Sequence, residues 1–364
     1  MKENWQYKKL GEVGKIITGN TPSTKDYENY SSEDFCFIKP GDIDLNGISY
    51  INNSEFQVSK KAFENSRKLP IGSVLITCIG IIGKVAILQI PAICNQQINA
   101  IIPSEVVSSK FIAYSILGIR TYLNKIANAP VVPIINKKDF SEIKIPVPPI
   151  SVQERIVAEL DLLSRIIEKQ KQQLKELDTL AQSIFYSMFG DPITNEKNWE
   201  FKFFKDFFQL KSGDGLSEKN FIKGDFPVYG GNGISGFHNS YNKSGDHIIM
   251  GRVGVYCGNV RFVKGNFWLT DNAFDTYFDN NIFNYQFLCF LLNSVKLNQY
   301  ANHAAQPVIS NIGLKNILII APPLSLQNEF AEKIEKIEKH KEAINKRIEE
   351  TQKLFDYTME KYFG

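Results

Sequence analysis

Three short segments contain residue types that could do chemistry, and the first two are rich in glycine. Residues 231–236 match the GxGxxG pattern of dinucleotide-binding loops, but the residues that follow are typical of turns. A dinucleotide site needs a helix there, because the helix N-terminus holds the pyrophosphate. Residues 80–84 resemble part of a phosphate-binding loop, but Val85 occupies the position that needs Ser or Thr. We therefore predict that neither segment binds a nucleotide.

The third segment and the remaining reactive residues do not form a catalytic set. Glu142 and Lys144 resemble part of a nuclease ExK site, but the neighbouring acid, Asp139, is too close along the chain to be the separate metal ligand. Metal-ligand spacing and CxxC pairs are absent among the histidines and cysteines, which are His238, His247, His303, His340, Cys36, Cys78, Cys94, Cys257 and Cys289. We expect reduced, mostly buried thiols, no bound metal and a chain that recognises a partner rather than an enzyme.

The most informative feature of the sequence is a repeat at an offset of 174 residues. The segment PPISVQE at 148–154 returns as PPLSLQN at 322–328, and the stretch after each copy ends on Phe-Gly. The segment WQYK at 5–8 also resembles WEFK at 199–202, at a larger offset because the first globular region is longer than the second. A repeat of this length predicts two equivalent halves with internal pseudo-two-fold symmetry.

Each copy of the proline motif precedes a stretch whose apolar residues alternate at spacings of four and three, as in a heptad seam. The seam residues are Ile156, Leu160, Leu163, Ile167, Leu174, Leu177 and Ile184 in the first stretch and Phe330, Ile334, Ile337, Ile344 and Ile348 in the second. The pattern predicts two helices, each roughly 57 Å long, with Ser151 and Glu154 as a capping box at the start of the first. A narrow seam favours packing against another helix, and packing of each helix on its own domain is the alternative.

These features divide the chain into four segments, which are globular regions at 1–149 and 191–323 and long helices at 150–190 and 324–364. Short strands broken by glycine are expected in the globular regions. In particular, residues 74–88 and 247–263 each predict two strands joined by a turn. The fold class is therefore α+β.

Composition and charge set limits on location and partners. The 364 residues are 43% hydrophobic and 22% charged, which is ordinary for a globular protein. No apolar run reaches the roughly 18 residues of a membrane span, and the N-terminus lacks an apolar signal segment, so a cytoplasmic protein is expected. The net charge of +3 neither favours nor excludes a nucleic acid, and DNA binding is expected to need help from a partner's charges.

The order of motifs along the chain resembles the specificity subunit of type I restriction–modification systems. The first half contains, in order, WxxxxLGEV, ITGNTPST, FIKPGDIDLNG, GSVLITCIGIIGKVAI, CNQQINAIIPS and PPISVQERIVAEL, then the heptad helix and MFGDP. The second half begins the same cycle again, so the resemblance covers essentially the whole chain. It implies two target-recognition domains, each specific for one half of an asymmetric bipartite DNA site, separated by two antiparallel coiled-coil-like helices that act as a spacer.

The resemblance also implies partners. Subunits of this family do no chemistry themselves and dock two copies of an adenine methyltransferase subunit, and the full complex adds restriction subunits that translocate and cut double-stranded DNA. S-adenosylmethionine, ATP and magnesium belong to those partners, so none of them is expected to bind this chain.

By the same resemblance, polar and basic residues on the loops of both globular regions are candidate DNA contacts. Amide side chains suit adenine edges, whereas Lys and Arg suit guanine or phosphate. The candidates are Thr18, Asn20, Thr21, Lys25, Lys39, Lys84, Asn95, Gln96, Gln97, Asn136 and Lys137 in the first region and Lys211, Ser212, Asn232, Arg252, Asp271, Asn272, Ser310 and Asn311 in the second. For each of them, a role in capping a turn or simple surface polarity is an equally open interpretation.

The main alternative function is a protein–protein scaffold that dimerises through its heptad helices without DNA. A fused restriction–methylation enzyme is a third hypothesis, although the chain lacks the motifs for either activity. Neighbouring genes for a methyltransferase and a helicase-nuclease would favour DNA recognition over the scaffold.

Overall fold

The computed structural model describes residues 5–127, 132–302 and 307–364. The chain divides into two compact units, of which the first contains Met1–Lys171 and Lys346–Gly364 and the second contains Gln172–Asn345. Each unit therefore consists of one globular region with segments of both long helices. The sequence-based boundaries instead treat the helices as segments of their own, and they stay a prediction.

The first unit contains ten strands and five short helices within its described residues, followed by a long helix. The strands are β1 (Gln6–Lys9), β2 (Gly14–Thr18), β3 (Phe35–Ile38), β4 (Ile48–Ile51), β5 (Gln57–Val58), β6 (Val74–Thr77), β7 (Val85–Leu88), β8 (Ala92–Cys94), β9 (Ile98–Pro103) and β10 (Lys144–Val147). The helices are α1 (Leu10–Val13), α2 (Lys60–Glu64), α3 (Ser109–Gly118), α4 (Arg120–Ile126), α5 (Lys137–Glu142) and the long α6 (Ile150–Phe189), which continues into the second unit.

The central sheet of the first unit has five strands in the order β2-β9-β6-β7-β4. Strands β6 and β7 are antiparallel, as predicted for residues 74–88, and β4 joins the edge parallel to β7. A three-stranded sheet, β5-β3-β8, and the pair β1-β10 complete the unit. Nearly every side chain of β6, β7 and β8 is buried, which explains why these segments are continuously apolar rather than alternating.

The second unit contains eight strands and three short helices within its described residues, together with a second long helix. The strands are β11 (Phe201–Phe203), β12 (Gln209–Ser212), β13 (Phe226–Gly230), β14 (Gly233–His238), β15 (Lys243–Gly251), β16 (Val260–Leu269), β17 (Ala273–Tyr277) and β18 (Leu318–Ile320). The helices are α7 (Phe204–Phe207), α8 (Tyr285–Ser294), α9 (Asn311–Leu314) and the long α10 (Leu324–Phe363), which ends in the first unit.

The two units share a sheet topology. The second has six strands in the order β12-β17-β15-β16-β13-β14, with β13 parallel to β16. Its first five strands therefore correspond one to one to β2-β9-β6-β7-β4. The pair β11-β18 likewise corresponds to β1-β10. The internal repeat thus extends beyond the helices into the sheets, and the α+β fold with two equivalent halves is confirmed.

One stretch of the second unit differs from the sequence-based expectation. Residues 236–247 are rich in turn formers, yet β15 begins at Lys243 and pairs residue by residue with β16. The first four residues of β15 are exposed or half-buried, so neither sheet face imposes an apolar alternation there. The start of β15 is largely exposed to solvent, and the sequence of this part of the hairpin therefore lacks the usual strand signal.

The long helices α6 and α10 are continuous over 40 residues each, which confirms both predicted helices. In the first unit, the Tyr362 hydroxyl donates to Glu159 at 2.8 Å, while Phe355, earlier in α10, lies beside Ile167 and Glu168, later in α6. The helix segments of this unit therefore run antiparallel. Each long helix packs against the other as well as against the globular core.

In the second unit the same arrangement is built from aromatic rings and an ion pair. Phe189, at the end of α6, packs against Phe287 of α8 and Phe330 of α10, with ring centroids 4.6 and 5.5 Å apart. Further from this end, Lys341 pairs with Asp178 at 2.8 Å. Segments of α6 and α10 are antiparallel here too.

The predicted capping box at the start of α6 is wrong. The helix begins at Ile150, so Ser151 already lies inside it, and the Pro149 carbonyl accepts the backbone N–H groups of Val152 and Gln153. Pro149 therefore precedes the first helical residue and supplies the first acceptor, and it has no side chain that could form a capping box. No helix in the described parts of the chain is both long enough and apolar enough to cross a membrane.

Candidate nucleic-acid interface

Six of the predicted DNA contacts lie together in the first unit, where β2 ends and the loop before β9 begins. The Thr18 hydroxyl donates to Asn99 at 2.6 Å, and the Thr21 hydroxyl donates to Gln96 at 2.7 Å. The backbone N–H of Asn20 donates to the Cys94 carbonyl at 2.9 Å. We call this group the first loop surface, and it consists of Thr18, Asn20, Thr21, Asn95, Gln96 and Gln97.

Five predicted contacts lie together at the corresponding place in the second unit, where β12 ends and β17 begins. Arg252 donates to the Ser212 hydroxyl and to the Asp271 carbonyl, each at 3.3 Å, and its backbone N–H donates to the Asn272 carbonyl at 2.9 Å. The segment before Asn232 packs against the same Asn272 carbonyl. We call this group the second loop surface, and it consists of Ser212, Asn232, Arg252, Asp271 and Asn272.

A glycine makes the close approach of the two loops possible in each unit. A Cβ at Gly19 would lie 2.2 Å from the carbonyl oxygens of Cys94 and Asn95, and a Cβ at Gly213 would lie 2.3 Å from that of Leu269. Neither position can accommodate a side chain, so the Thr-Gly-Asn and Ser-Gly-Asp triplets hold equivalent loops in contact. Both units also have an equivalent backbone hydrogen bond beside these loops. The Cys78 N–H donates to the Gln97 carbonyl in the first unit, and the Arg252 N–H donates to the Asn272 carbonyl in the second.

The chemistry of both surfaces suits contacts with nucleic-acid bases or phosphates. Amide side chains present a donor and an acceptor side by side, which matches an adenine edge, and a guanidinium matches guanine or phosphate. Gln96, Asp271 and Asn272 are exposed, whereas Asn95 is buried and bonds Gln97 at 2.9 Å. Asn95 therefore shapes the loop, while its neighbours face solvent.

The remaining predicted contacts lie outside the two loop surfaces, and most have an internal role. The Lys84 ammonium donates to the carbonyls of Pro40 and Ile43, at 2.8 and 2.6 Å. The Lys39 ammonium lies 3.0 Å from the centroid of the Phe56 ring.

Several of the other candidates lie at helix starts. Asn136 caps α5, which begins at Lys137, and Ser310 caps α9, whose first residue Asn311 donates to the Leu210 carbonyl. Lys25 is exposed on a loop. None of these placements tests DNA contact, and the assignments stay predictions.

Lys211 lies beside a buried ionic cluster on the same sheet of the second unit. Asp275, which is nearly inaccessible to solvent, accepts from Lys243 at 2.9 Å and from His247 at 3.0 Å. Lys211 lies over the ring of Tyr277, 4.6 Å from its centroid, and the Tyr277 hydroxyl contacts Lys243 at 3.1 Å. The cluster holds two cationic side chains, Lys243 and His247, around one buried carboxylate.

The protonation state of this cluster follows from its contacts. Burial alone would raise the pKa of Asp275, but hydrogen bonds from His247 and Lys243 hold that pKa below its ordinary value. The hydrogen bond to Asp275 raises the pKa of His247. The second ring nitrogen of His247 faces the Ser244 carbonyl, an acceptor, at 3.1 Å. Since both ring nitrogens face acceptors, the geometry favours the imidazolium form.

Arg67 packs against the first loop surface, although the sequence-based prediction missed it. Its guanidinium donates to the Thr18 carbonyl at 2.8 Å and its backbone N–H to the Asn20 side chain at 3.1 Å, and the residue is exposed. Its segment, NSRKLP, follows a short helix and has no periodicity or motif. Only its excess of positive charge could have indicated a partner.

The sequence-based prediction also missed two buried glutamines, although both copies of the repeat contain them. Gln153 and Gln327 occupy the same position of the PPxSxQ motif, and both are completely buried. Each makes three hydrogen bonds that attach the start of a long helix to its own globular region. A glutamine kept in both copies of a repeat at a buried position could have been singled out from the sequence.

All of the predicted seam residues are buried or half-buried. Buried are Ile156, Leu160, Leu163, Ile167, Phe330, Ile334 and Ile337, and half-buried are Leu174, Leu177, Ile184, Ile344 and Ile348. Among the seam residues, burial is greatest near the start of each helix, where the globular region adds its own contacts. The helix ends are buried as well, through Phe185, Phe189 and Phe363, which the predicted seam does not contain.

The reactive side chains show no arrangement for metal binding among the residues with described positions. The five cysteines are free thiols, and burial raises the pKa of Cys78 and Cys94 to about 12, which makes them poor nucleophiles. His303 lies outside the described residues. Glu142 of the ExK-like triplet pairs with Lys9, as expected for surface charge. Residues 231–236 form the turn and first part of a β-hairpin, with no helix behind the glycines.

Comparison with known proteins decides the family. The model of the type I restriction modification DNA specificity domain matches twice, at residues 2–178 and 196–352. The two matches fall on the two halves of the repeat and together cover most of the chain. The chain belongs to the type I restriction–modification DNA specificity family.

Relatives and solved structures agree with this assignment. The specificity subunit of the type I restriction enzyme EcoprrI from Escherichia coli is 25% identical over 90% of this chain and 86% of its own length. The MjaIX specificity subunit from Methanocaldococcus jannaschii is 29% identical over 60% of this chain and 54% of its own length. Among solved structures, the S subunit from M. genitalium has a TM-score of 0.61 at 15% identity, covering 99% of this chain and 96% of that one.

A second solved structure, from work on complex assembly and conformational transition of the type I system, has a TM-score of 0.60 at 17% identity and covers 99% of this chain. At these identities the structural likeness establishes the fold alone. The family assignment rests on the matched specificity domains, and DNA sequence specificity is the property that this family implies. The predicted resemblance to a type I specificity subunit is confirmed.

Proposed function

We propose that this chain is the DNA-recognition subunit of a type I restriction–modification complex and that each globular region recognises one half of a bipartite target. The observation that supports this most directly is the presence of two equivalent loop surfaces, one in each unit. Each is built from polar loops held in contact at a glycine, and each presents exposed side chains suited to base edges. One chain would therefore contain two recognition surfaces.

The two half-sites should differ in sequence. The first loop surface is rich in amides, with Asn20, Gln96 and Gln97, whereas the second includes Arg252 and Asp271. Side chains with different donors and acceptors select different bases, so the complete target is asymmetric with unread base pairs between its halves. The continuous helices α6 and α10 are the elements that would fix the length of that gap.

Catalysis would be left to partners. We propose that two methyltransferase subunits dock on the chain, one for each pseudo-equivalent half, and that restriction subunits join the full complex. S-adenosylmethionine, ATP and magnesium would bind to those partners. The net charge of only +3 fits this division, because strong DNA binding needs more phosphate contacts than this chain alone provides.

The proposal is tested by purifying the chain with and without its cognate methyltransferase subunit. The chain alone should bind DNA weakly and should neither methylate nor cut it. The complex should contain two methyltransferase subunits per chain by native mass spectrometry and should prefer its target over random DNA by about 10³-fold or more. Methylation by the isolated chain, or a stable one-to-one complex with full affinity, would overturn the proposal.

A further inference from the structure

The start of each long helix is joined to its globular region by one buried glutamine. In the first unit, the side-chain oxygen of Gln153 accepts the backbone N–H of Ser108 at 3.1 Å, and its amide nitrogen donates to the carbonyls of Val106 and Pro148, both at 2.9 Å. Ser108 is the residue that caps α3. Three elements therefore meet at one side chain: the Pro-Pro turn, the long helix and the first helix after the central sheet.

We call this arrangement a helix joint, and the second unit contains it as well. The oxygen of Gln327 accepts the backbone N–H of Asn284, the cap of α8, at 2.9 Å, and its nitrogen donates to the carbonyls of Ile282 and Pro322 at 2.9 and 2.8 Å. The capping residue, the preceding carbonyl and the proline carbonyl are matched one for one. This identity persists although the surrounding sheets differ, since the second unit adds β14 and the first has a separate three-stranded sheet.

A glutamine at this position specifies direction as well as contact. An apolar side chain could fill the same volume, but it would tolerate small rotations of the helix against the core. The amide offers one acceptor and two donors in a fixed plane, and all three are used, so rotation of the helix breaks several hydrogen bonds in a buried site at once. The joint therefore fixes the angle at which each long helix leaves its globular region.

We infer that Gln153 and Gln327 are positioning residues that set the spacing between the two half-sites, which rests on the proposed function. A helix of 40 residues is about 60 Å long, so a rotation of about 5° at its start moves its far end by about 5 Å. That displacement exceeds the roughly 3.4 Å rise of one base pair. Without the hydrogen bonds of the glutamine, the distance between the half-sites would therefore vary. The bases that each loop surface recognises would stay the same.

The test uses the complex of the full chain with its methyltransferase subunit and DNA duplexes that differ only in the number of base pairs between the half-sites. The half-sites are first defined by sequencing methylated adenines in the host genome. The wild-type complex should prefer one spacer over its neighbours by about tenfold or more. Gln153→Met and Gln327→Met should each reduce that preference by about fivefold, because the three hydrogen bonds are lost, and should leave the half-site bases unchanged.

Controls separate positioning from stability. Ile156→Val, at a buried seam position one turn from Gln153, should lower the thermal midpoint but keep the spacer preference. If Gln153→Met does not fold, Gln153→Asn provides the same test, since it keeps a neutral amide but is one methylene too short to reach all three partners. Unchanged spacer preference in folded glutamine variants, or a change in half-site bases, would overturn the inference alone. A wild-type complex with no bipartite preference would instead overturn the proposed function.

Discussion

At the scale of single residues, each loop surface combines amide side chains with one guanidinium that is held by its neighbours. Arg67 is bound through the Thr18 carbonyl and Asn20, and Arg252 through Ser212 and the Asp271 carbonyl. A side chain that is already oriented loses less conformational entropy when it binds. We therefore expect these two arginines to contact DNA.

Replacing either arginine should weaken recognition of one half-site only. Arg67→Ala and Arg252→Ala should each cost about 1–3 kcal/mol of binding free energy and relax selectivity in the first or second half-site, respectively. Competition binding against duplexes with single base changes measures this. Arg347→Ala, on an exposed position of α10, is the matched control. A uniform loss over all sequences would instead indicate a phosphate contact and contradict base recognition.

The buried ionic cluster should make the stability of the second unit depend on pH. Because the pKa of His247 is raised in the folded state by Asp275, its stabilising effect is complete below the unfolded pKa of about 6.5 and is lost as pH rises through the folded pKa. The ammonium of Lys243 and the hydroxyl of Tyr277 lie beside the same carboxylate. Against the effect of burial, hydrogen bonds to Asp275 and Tyr277 raise the pKa of Lys243, so this ammonium stays charged over that range.

The thermal midpoint of the wild-type protein should therefore fall between about pH 6 and pH 9, and His247→Gln should show a shallower decline over that interval. Thermal melts in matched buffers measure both slopes. His340→Gln, at an exposed position of α10, should behave like the wild type. Equal slopes for the wild type and His247→Gln would show that the imidazolium does not contribute.

Residue type alone selected most members of both loop surfaces, and it also selected residues that lie elsewhere. Lys84 and Asn311 have the chemistry of DNA contacts, but they lie outside the loop surfaces and donate to backbone carbonyls close in space. Arg67 has no motif around it and reaches the surface only because the chain folds back after α2. Such long-range pairings are invisible in a local pattern.

At the scale of elements, the two long helices are the part of the fold that the sequence predicts best. Proline pairs mark their starts, a four-and-three spacing continues along them, and Phe-Gly marks their ends. The β15–β16 hairpin was predicted from residues 247–263, but the exposed start of β15 was missed because its residues alternate in neither polarity nor size. The glutamines of the helix joints occur in both copies of the repeat. Their role could not be predicted, because it depends on backbone carbonyls whose positions the sequence does not give.

Lengthening one long helix should change the distance between half-sites. Insertion of four residues between Gln172 and Gln173 adds about 6 Å of helix, close to two base pairs. The modified chain should therefore prefer a longer unread spacer or lose recognition, as measured with a library of spacer lengths. The same insertion between Ser32 and Glu33, in an exposed loop of the first unit, should leave the spacer unchanged. Recognition of the original site by the helix variant would show that the helices do not set the distance.

At the scale of the whole molecule, one chain contains the same structural plan twice. Each unit combines a sheet of matching topology, a polar loop surface, a glutamine joint and segments of both long helices. The plan is conserved between the units, while the side chains of the loop surfaces differ. This combination suits a protein that applies one mode of binding to two different half-sites.

The most direct test of this account is to exchange residues 191–323 for the second globular region of another member of the family. The chimeric chain is expressed with its methyltransferase subunit, and methylated adenines are sequenced across the host genome. We expect a bipartite motif in which the first half-site is retained and only the second is replaced by that of the donor. If both half-sites change together, or if neither changes, the two globular regions do not each recognise one half-site, which contradicts the proposed function.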